Sequence, residues 1–275
     1  MHDLATNQLK AEVKAFWNRQ SCDTEHSGSK KFSREYFEEI EQFRYTSQPF
    51  IHSFAQFTRY HGQRVLEVGF GAGTDFIQWL RAGAIASGID LTEEGLANLT
   101  HRIQVYGLPA PERLQVGDAE ALAFPSDNFD LGYSWGVLHH TPDTEKAIGE
   151  LVRVVRPGGE IKIMLYNRHS LCALHCCARH ALLQGRPWKS FKWALWNHQE
   201  SIGTKAYTRT EVRQMLSALN LTDIRMEAFM MNTDGMVRSA PPAFRPLVRS
   251  AVALTQSWFG WYLAISARKP APARS

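Results

Sequence analysis

One run constrains this 275-residue chain more than any other: Val65-Leu66-Glu67-Val68-Gly69-Phe70-Gly71-Ala72-Gly73-Thr74-Asp75. An apolar, β-branched stretch enters three alternating glycines, and helical spacing follows, predicted over Ala72 to Ala82. Glycines permit positive φ and let a ligand approach the backbone closely. Such a turn, at the carboxyl end of a first strand, is where open α/β sheets bind nucleotides. The same rhythm continues. Strands are predicted at Ala84–Ile89, Leu114–Val116, Phe129–Trp135 and Glu160–Leu165, and helices at Glu93–Tyr106 and Thr144–Val155. Pro157-Gly158-Gly159 reads as a turn. A helix at Thr210–Leu219 and strands at Thr222–Phe229 and Trp261–Arg268 complete the pattern. Regular alternation implies a parallel sheet covered on both faces. The chain is 44% hydrophobic with a net charge of +4, too apolar and too weakly charged for disorder and long enough for one large core.

Spacing narrows the ligand. A dinucleotide fingerprint needs its third glycine at position 74, where Thr74 stands; the loop is G-x-G-x-G. Glu67, two residues ahead of the first glycine, would repel a pyrophosphate. A ligand carrying a sulfonium and an ammonium fits this acidic loop better. The second strand ends in Gly88-Ile89-Asp90-Leu91, where a carboxylate can accept both hydroxyls of a ribose. The third ends in Gly117-Asp118-Ala119-Glu120, where Asp118 can accept from an adenine amino group. A strand-end Asp is also an ordinary turn or helix cap. Acids at three successive strand ends beside a glycine loop point jointly to a ligand.

On these residues the chain resembles the class I S-adenosylmethionine (SAM)-dependent methyltransferases, in the broad group that includes the ubiquinone/menaquinone methyltransferases. Two further runs carry the resemblance: Phe129-Asp130-Leu131-Gly132-Tyr133-Ser134-Trp135-Gly136-Val137-Leu138-His139-His140 and Leu151-Val152-Arg153-Val154-Val155-Arg156-Pro157-Gly158-Gly159. The resemblance implies an α/β, Rossmann-like, seven-stranded sheet, mostly parallel with a reversed last strand and helices on both faces. An N-terminal helical lid and a helical insertion after the fifth strand accompany it. The segments expected are 1–60 (lid and substrate segment), 61–167 (SAM core), 168–208 (basic aromatic insertion), 209–268 (remainder of the core) and 269–275 (tail). Gly69, Gly71, Gly73 and Thr74 would line the methionine part, with Glu67 beneath. Asp90 and Leu91 would take ribose and adenine, Asp118 and Ala119 the adenine, and Trp135 and Gly136 would flank the sulfonium.

The reaction implied is in-line displacement of a methyl group from SAM to a small-molecule acceptor, natural-product or lipid/quinone-like, leaving S-adenosylhomocysteine. The protein then positions a nucleophile and removes its proton where needed. His140 is the better base; His139 and Tyr166 are the others, and each can equally be a packing residue. Asn167 and Tyr207 are expected to line the acceptor pocket. In Phe32–Tyr45, either a lid forms with Tyr36, Arg44 and Tyr45 facing inward, or a plain amphipathic helix does.

The insertion holds Arg168, Arg179, Arg186, Lys189, Lys192 and Lys205 together with Trp188, Trp193 and Trp196. It reads as a solvated cap or as a surface for an acidic or phosphorylated substrate, a membrane or RNA. Cys172, Cys176 and His180 recur every four residues without a second ligand pair, so buried cysteines are expected and a metal is not. Ser134-Trp135-Gly136-Val137 stands where nucleic-acid amino methyltransferases carry Asn/Asp-Pro-Pro-Tyr/Phe, so no nucleic-acid partner is expected. The chain shows no leader pattern and no apolar run of spanning length, and three of its four cysteines crowd together. A cytoplasmic monomer or homodimer is expected. A nicotinamide oxidoreductase is disfavoured by Thr74 and Glu67. A SAM-binding regulatory subunit without its own activity is the other alternative.

Overall fold

The computed structural model describes residues 2–230 and 240–271, so the expected tail is described only as far as Ala271. Its strands are β1 (Arg64–Val68), β2 (Ile85–Asp90), β3 (Arg113–Val116), β4 (Phe129–Trp135), β5 (Val155–Tyr166), β6 (Thr222–Phe229) and β7 (Tyr262–Arg268). They form a seven-stranded sheet in the order β3-β2-β1-β4-β5-β7-β6. Strands β1 to β5 pair in parallel, and β7 runs antiparallel to both β5 and β6. The expected architecture with its reversed last strand is present. Strand order turns back at β1 and β4, which opens a crevice at their carboxyl ends.

Side-chain alternation divides the core in two. Along β1, Val65 faces one apolar layer with Phe76, Trp79, Leu99 and Tyr133. Leu66 and Val68 face the other, with Ile148, Leu151, Val212 and Leu216. A parallel sheet buried on both faces needs this double layer. Phe129 sits in the second layer because the β4–β5 register shifts between Phe129 and Leu131.

Two element boundaries differ from expectation. The helix after β1, α4, is only Phe76–Arg81. Gly71 and Gly73 take φ of 50° and 74°, outside helical geometry, so the loop runs on past Ala72. Strand β5 starts at Val155 and carries Pro157-Gly158-Gly159 within it. Gly158, at φ 78°, lets the chain continue while its N–H bonds the Lys269 carbonyl.

Before the sheet come α1 (His2–Arg19), α2 (Arg34–Ser47) and α3 (Phe50–Ala55). Helix α2 buries Tyr36, Phe37 and Ile40 against Ala72 of the glycine loop. The end of α3 is capped by Lys162 of β5, whose Nζ donates to the Phe54 and Ala55 carbonyls and to Gln56 Oε1. Burial lowers the Lys162 pKa to about 8. Helices α5 (Glu93–Tyr106) and α6 (Thr144–Val154) cover the sheet. The insertion after β5 folds as α7 (Leu171–His180) and α8 (Phe191–His198), started by Ser170 and Ser190 N-caps. Cys176 and Cys177 are buried there, with Cys176 Sγ 3.6 Å from the Ala194 carbonyl, so they join α7 to α8 as small apolar residues. Helices α9 (Arg209–Ala218) and α10 (Arg245–Phe259) complete the described elements.

Candidate active site

A cavity of about 310 Å³ opens at the carboxyl ends of β1, β2 and β4. Its floor is the glycine loop. Gly69 takes φ 80°, and a Cβ there would lie 2.2 Å from Val137 Cγ2, so only glycine fits. At Gly71 the space beside the backbone is open, and its N–H donates to Asp90 Oδ2 at 2.9 Å. Asp90 Oδ1 accepts from both the N–H and the hydroxyl of Thr92. The Asp90 carboxylate therefore locks the loop to the end of β2 while facing the cavity. Its burial raises the pKa, and these hydrogen bonds work against that rise.

Glu67 lies under the loop, accepting from Trp79 Nε1 at 2.8 Å. Burial first, and the charge of Asp75 second, hold its carboxyl well above the usual range. Asp75 is fixed by three donors: Tyr133 Oη at 2.9 Å, Arg44 Nη2 at 3.0 Å and Tyr45 Oη at 3.0 Å. Arg44 reaches Asp23 as well, at 3.2 Å. Arg102, fully buried, ties the Ala72 carbonyl and Thr74 Oγ1 to α2 through the Phe37 carbonyl and Glu41. The loop is thus preformed and held from two sides.

Helix α1 spans the mouth of the cavity through Lys10, Val13 and Trp17. Lys10 Nζ lies 2.6 Å from both Asp118 and Glu120, and Lys14 lies 2.6 Å from Glu93. The Asp118 carboxylate, expected to accept from an adenine, accepts here from Lys10. Within the expected 1–60 lid segment, α1 lies across the mouth, while α2 packs Tyr36 and Phe37 inward and brings Phe43 and Arg44 to the cavity.

At the far end Tyr166, His140 and Glu200 meet. Tyr166 Oη donates to Glu200 at 2.7 Å, and His140 Nε2 is 3.2 Å from Glu200 Oε2, within ion-pair reach but off the line of a straight hydrogen bond. Ser201 Oγ and Thr204 Oγ1 lie 3.0 and 3.1 Å from His140 Nδ1. The Thr204 hydroxyl proton is committed to the Ser201 carbonyl at 2.6 Å. Thr204 Oγ1 can then only accept, from Nδ1–H, whereas the Ser201 hydroxyl can donate to an unprotonated Nδ1 and leave Nε2–H facing Glu200; the two tautomers differ in which ring nitrogen carries the proton. Glu200 comes from the insertion, on a backbone at φ 53°, with its side chain 32% exposed.

Of the residues expected at the site, Glu67, Gly69, Gly71, Thr74, Asp90, Leu91, Asp118, Ala119, Trp135, Gly136, His140, Tyr166 and Arg44 line this one cavity. Six do not. Gly73 packs against Leu99, where a Cβ would come within 2.6 Å. Tyr36 is buried and bonds Asn98. Tyr45 serves Asp75 from behind. His139 is fully buried behind Tyr166, its ring centroid 3.8 Å away, and burial holds it neutral. Asn167 donates to the Trp258 and Gly260 carbonyls and so joins strand ends. Tyr207 borders a different surface groove. Glu200, Lys10, Trp17 and Gln48 were not expected. Lys10 and Trp17 had only helical spacing as a signal, and Glu200 is one of two acids in an otherwise basic stretch. The insertion's bases Arg168, Arg179, Arg186, Lys189, Lys192 and Lys205 all lie outside the cavity lining, so the insertion turns its acid inward.

These residues suit SAM: an acidic loop for its cationic end, an open Gly71 edge, and Asp90 and Asp118 at successive strand ends. Comparison with known proteins agrees. Residues 66–163 match the family described as "Methyltransferase domain". Over these residues the chain is similar to that methyltransferase domain, and its sheet has the seven strands and the reversed strand that the sequence resemblance implied. It is 35% identical over 103 residues to a phosphatidylethanolamine N-methyltransferase of Cereibacter sphaeroides, covering 38% of this chain and 50% of that protein. It is 36% identical over 118 residues to a malonyl-[acyl-carrier protein] O-methyltransferase of Erwinia billingiae, covering 43% of each. The chain spans about half the length of the curated relatives it matches, or less. In fold it is similar to a chain of the Haloferax volcanii complex of the Trm112 activator with a methyltransferase, at a TM-score of 0.62 and 16% identity, covering 97% of this chain and all of that one. The Haemonchus contortus phospholethanolamine N-methyltransferase 2, solved with phosphomonomethylethanolamine and S-adenosylhomocysteine, gives a TM-score of 0.61 at 18% identity over 94% of this chain and 60% of that one.

Proposed function

We propose that this chain transfers the methyl group of SAM to an O–H or N–H of a small, largely apolar acceptor held at the His140 end of the cavity. SAM supplies an electrophilic methyl carbon. What the chain adds is position and a proton acceptor. Asp90, Glu67 and the glycine loop hold the cofactor end. Trp17, Phe43, Trp135, Met164 and Tyr262 wall the acceptor end with apolar surface, which supports a natural-product or lipid/quinone-like body. His140 Nε2 takes the acceptor's proton as the new bond forms. Glu200 stabilises the imidazolium that results, and Thr204 holds Nδ1–H in place.

The carrying observation is that one cavity joins the glycine loop to the His140–Glu200–Tyr166 cluster. Charge favours a neutral or amine acceptor over an anionic one. The two lysine and arginine side chains of the lining, Lys10 and Arg44, are each already engaged by two carboxylates.

Calorimetry with SAM and with NADH tests the cofactor. NADH binding without SAM binding would overturn this reading in favour of an oxidoreductase. Incubation with labelled SAM and a panel of phenols, amines, lipid headgroups and carboxylic acids tests the reaction. SAM binding with no transfer to any acceptor would instead make the chain a cofactor-binding subunit without its own activity.

A further inference from the structure

Two long stretches of this chain contain no acidic residue: Ile161 to Gln199, and Gly235 to the end of the sequence. The first contains α7 and α8, the second α10. Both expose large apolar side chains. Leu183 is 84% exposed and Trp188 74% in the first; Leu254 is 82% and Trp258 71% in the second. On α10, Leu247, Ala251, Leu254 and Trp258 are exposed and recur every three or four residues, so they share one helical face. Arg245 and Arg249 stand on the opposite side of α10 from that face, and Arg179, Arg186 and Lys192 belong to the same stretch as Leu183 and Trp188; all five are exposed. The start of α7 lies beside the end of α10. Asn167, just before α7, bonds the backbone of Trp258 and Gly260 at the end of α10.

We propose that α7–α8 and α10 together dock this protein on an anionic lipid bilayer. Leu183, Trp188, Leu254 and Trp258 enter the headgroup boundary while the exposed bases of the α7–α8 stretch, Arg179, Arg186 and Lys192, meet lipid phosphates. No described helix is long and apolar enough to cross a membrane, so the contact is interfacial. Charge selects this occupant. A second copy of the chain would bring two positive faces together, and a nucleic acid would leave exposed leucines with nothing to cover them. The inference does not depend on the methyl-transfer reading.

The test is co-sedimentation of the full chain with phosphatidylcholine vesicles, alone and with about a third phosphatidylglycerol. Binding to the anionic vesicles, weakened by added salt, is expected. The double variants Leu183→Asp/Trp188→Asp and Leu254→Asp/Trp258→Asp should each lower partitioning at least about tenfold. Unchanged circular dichroism melts keep that loss from being a folding failure, because all four side chains are exposed. No sedimentation with anionic vesicles overturns the proposal, and so does wild-type binding by both variants. Light scattering that shows a dimer dissociated by Leu254→Asp/Trp258→Asp, without vesicle binding, would assign the face to self-association instead.

Discussion

At His140 the placement of one proton decides what the ring can do. Thr204, its own proton given to the Ser201 carbonyl, can only accept from Nδ1–H, the tautomer that opens Nε2 as a base, whereas the Ser201 hydroxyl beside Nδ1 suits the tautomer with Nε2–H. His140→Gln is expected to lower turnover by about a hundredfold or more while SAM affinity, read by calorimetry, stays unchanged. Full activity in that variant would leave the histidine a packing role. Asp90 locks the glycine loop, and in the proposed reading it also takes the ribose, so Asp90→Ala should weaken SAM binding by more than about tenfold. Unchanged affinity in a folded variant would refute the ribose contact. Glu67 gives a pH signature. Burial and the charge of Asp75 push its carboxyl well above the usual carboxylate range, and a bound cation favours the charged form. SAM binding should therefore release a proton and tighten as pH rises. Calorimetry in two buffers of different ionisation enthalpy measures this, and equal apparent enthalpies would exclude it. Asp90 and Glu67 were legible in the sequence because strand ends mark themselves by pattern. Glu200 was not, because an isolated acid in a basic stretch has no period to reveal where its loop returns.

Helix α1 is an element whose role its own composition conceals. Leu9, Val13, Phe16 and Trp17 recur at helical spacing, and the resemblance puts them in the 1–60 lid segment without saying which helix lies over the site. Lys10, Lys14 and Asn18 tie it to Asp118, Glu120 and Glu93, residues roughly a hundred positions away, and so draw it across the cavity. Partly exposed pairs of this kind contribute about 1 kcal/mol or less each, which suits an element that must open. Lys10→Met should therefore speed SAM release several-fold, measured by stopped-flow, with little change in melting temperature. An unchanged release rate would show that α1 does not gate the site. Within Phe32–Tyr45, Phe43 and Arg44 reach the cavity while the first turns of α2 pack elsewhere. Its aromatic side chains, Tyr36 and Phe37, found apolar partners under the glycine loop, and burial outweighed exposure at the mouth.

Across the whole molecule, Glu160 ties three distant parts together. It accepts from Tyr60 and Arg59 before the sheet and from Arg268 on β7, at 2.7, 2.7 and 2.8 Å. Burial raises its pKa, but these hydrogen bonds outweigh that and bring it to about 2. A carboxylate lowered on folding stabilises above its ordinary value near 4.5 and loses that contribution as pH falls toward about 2. Glu160→Gln should cost about 2 kcal/mol at neutral pH, with the gap from wild type closing between those limits. A gap that persists at the acid end would assign the loss to packing.

By itself the sequence determined the α/β class, the strand and helix order, the glycine loop and the acids that suit a cationic nucleotide, because periodicity and turn chemistry are local. Only the tertiary structure decided which helix covers the mouth, that Glu200 rather than a base enters the cavity, and that Gly73, His139 and Asn167 stand behind it. Those outcomes depend on where a loop returns through space and on which charges are then close enough to pair, and neither quantity has a period along the chain.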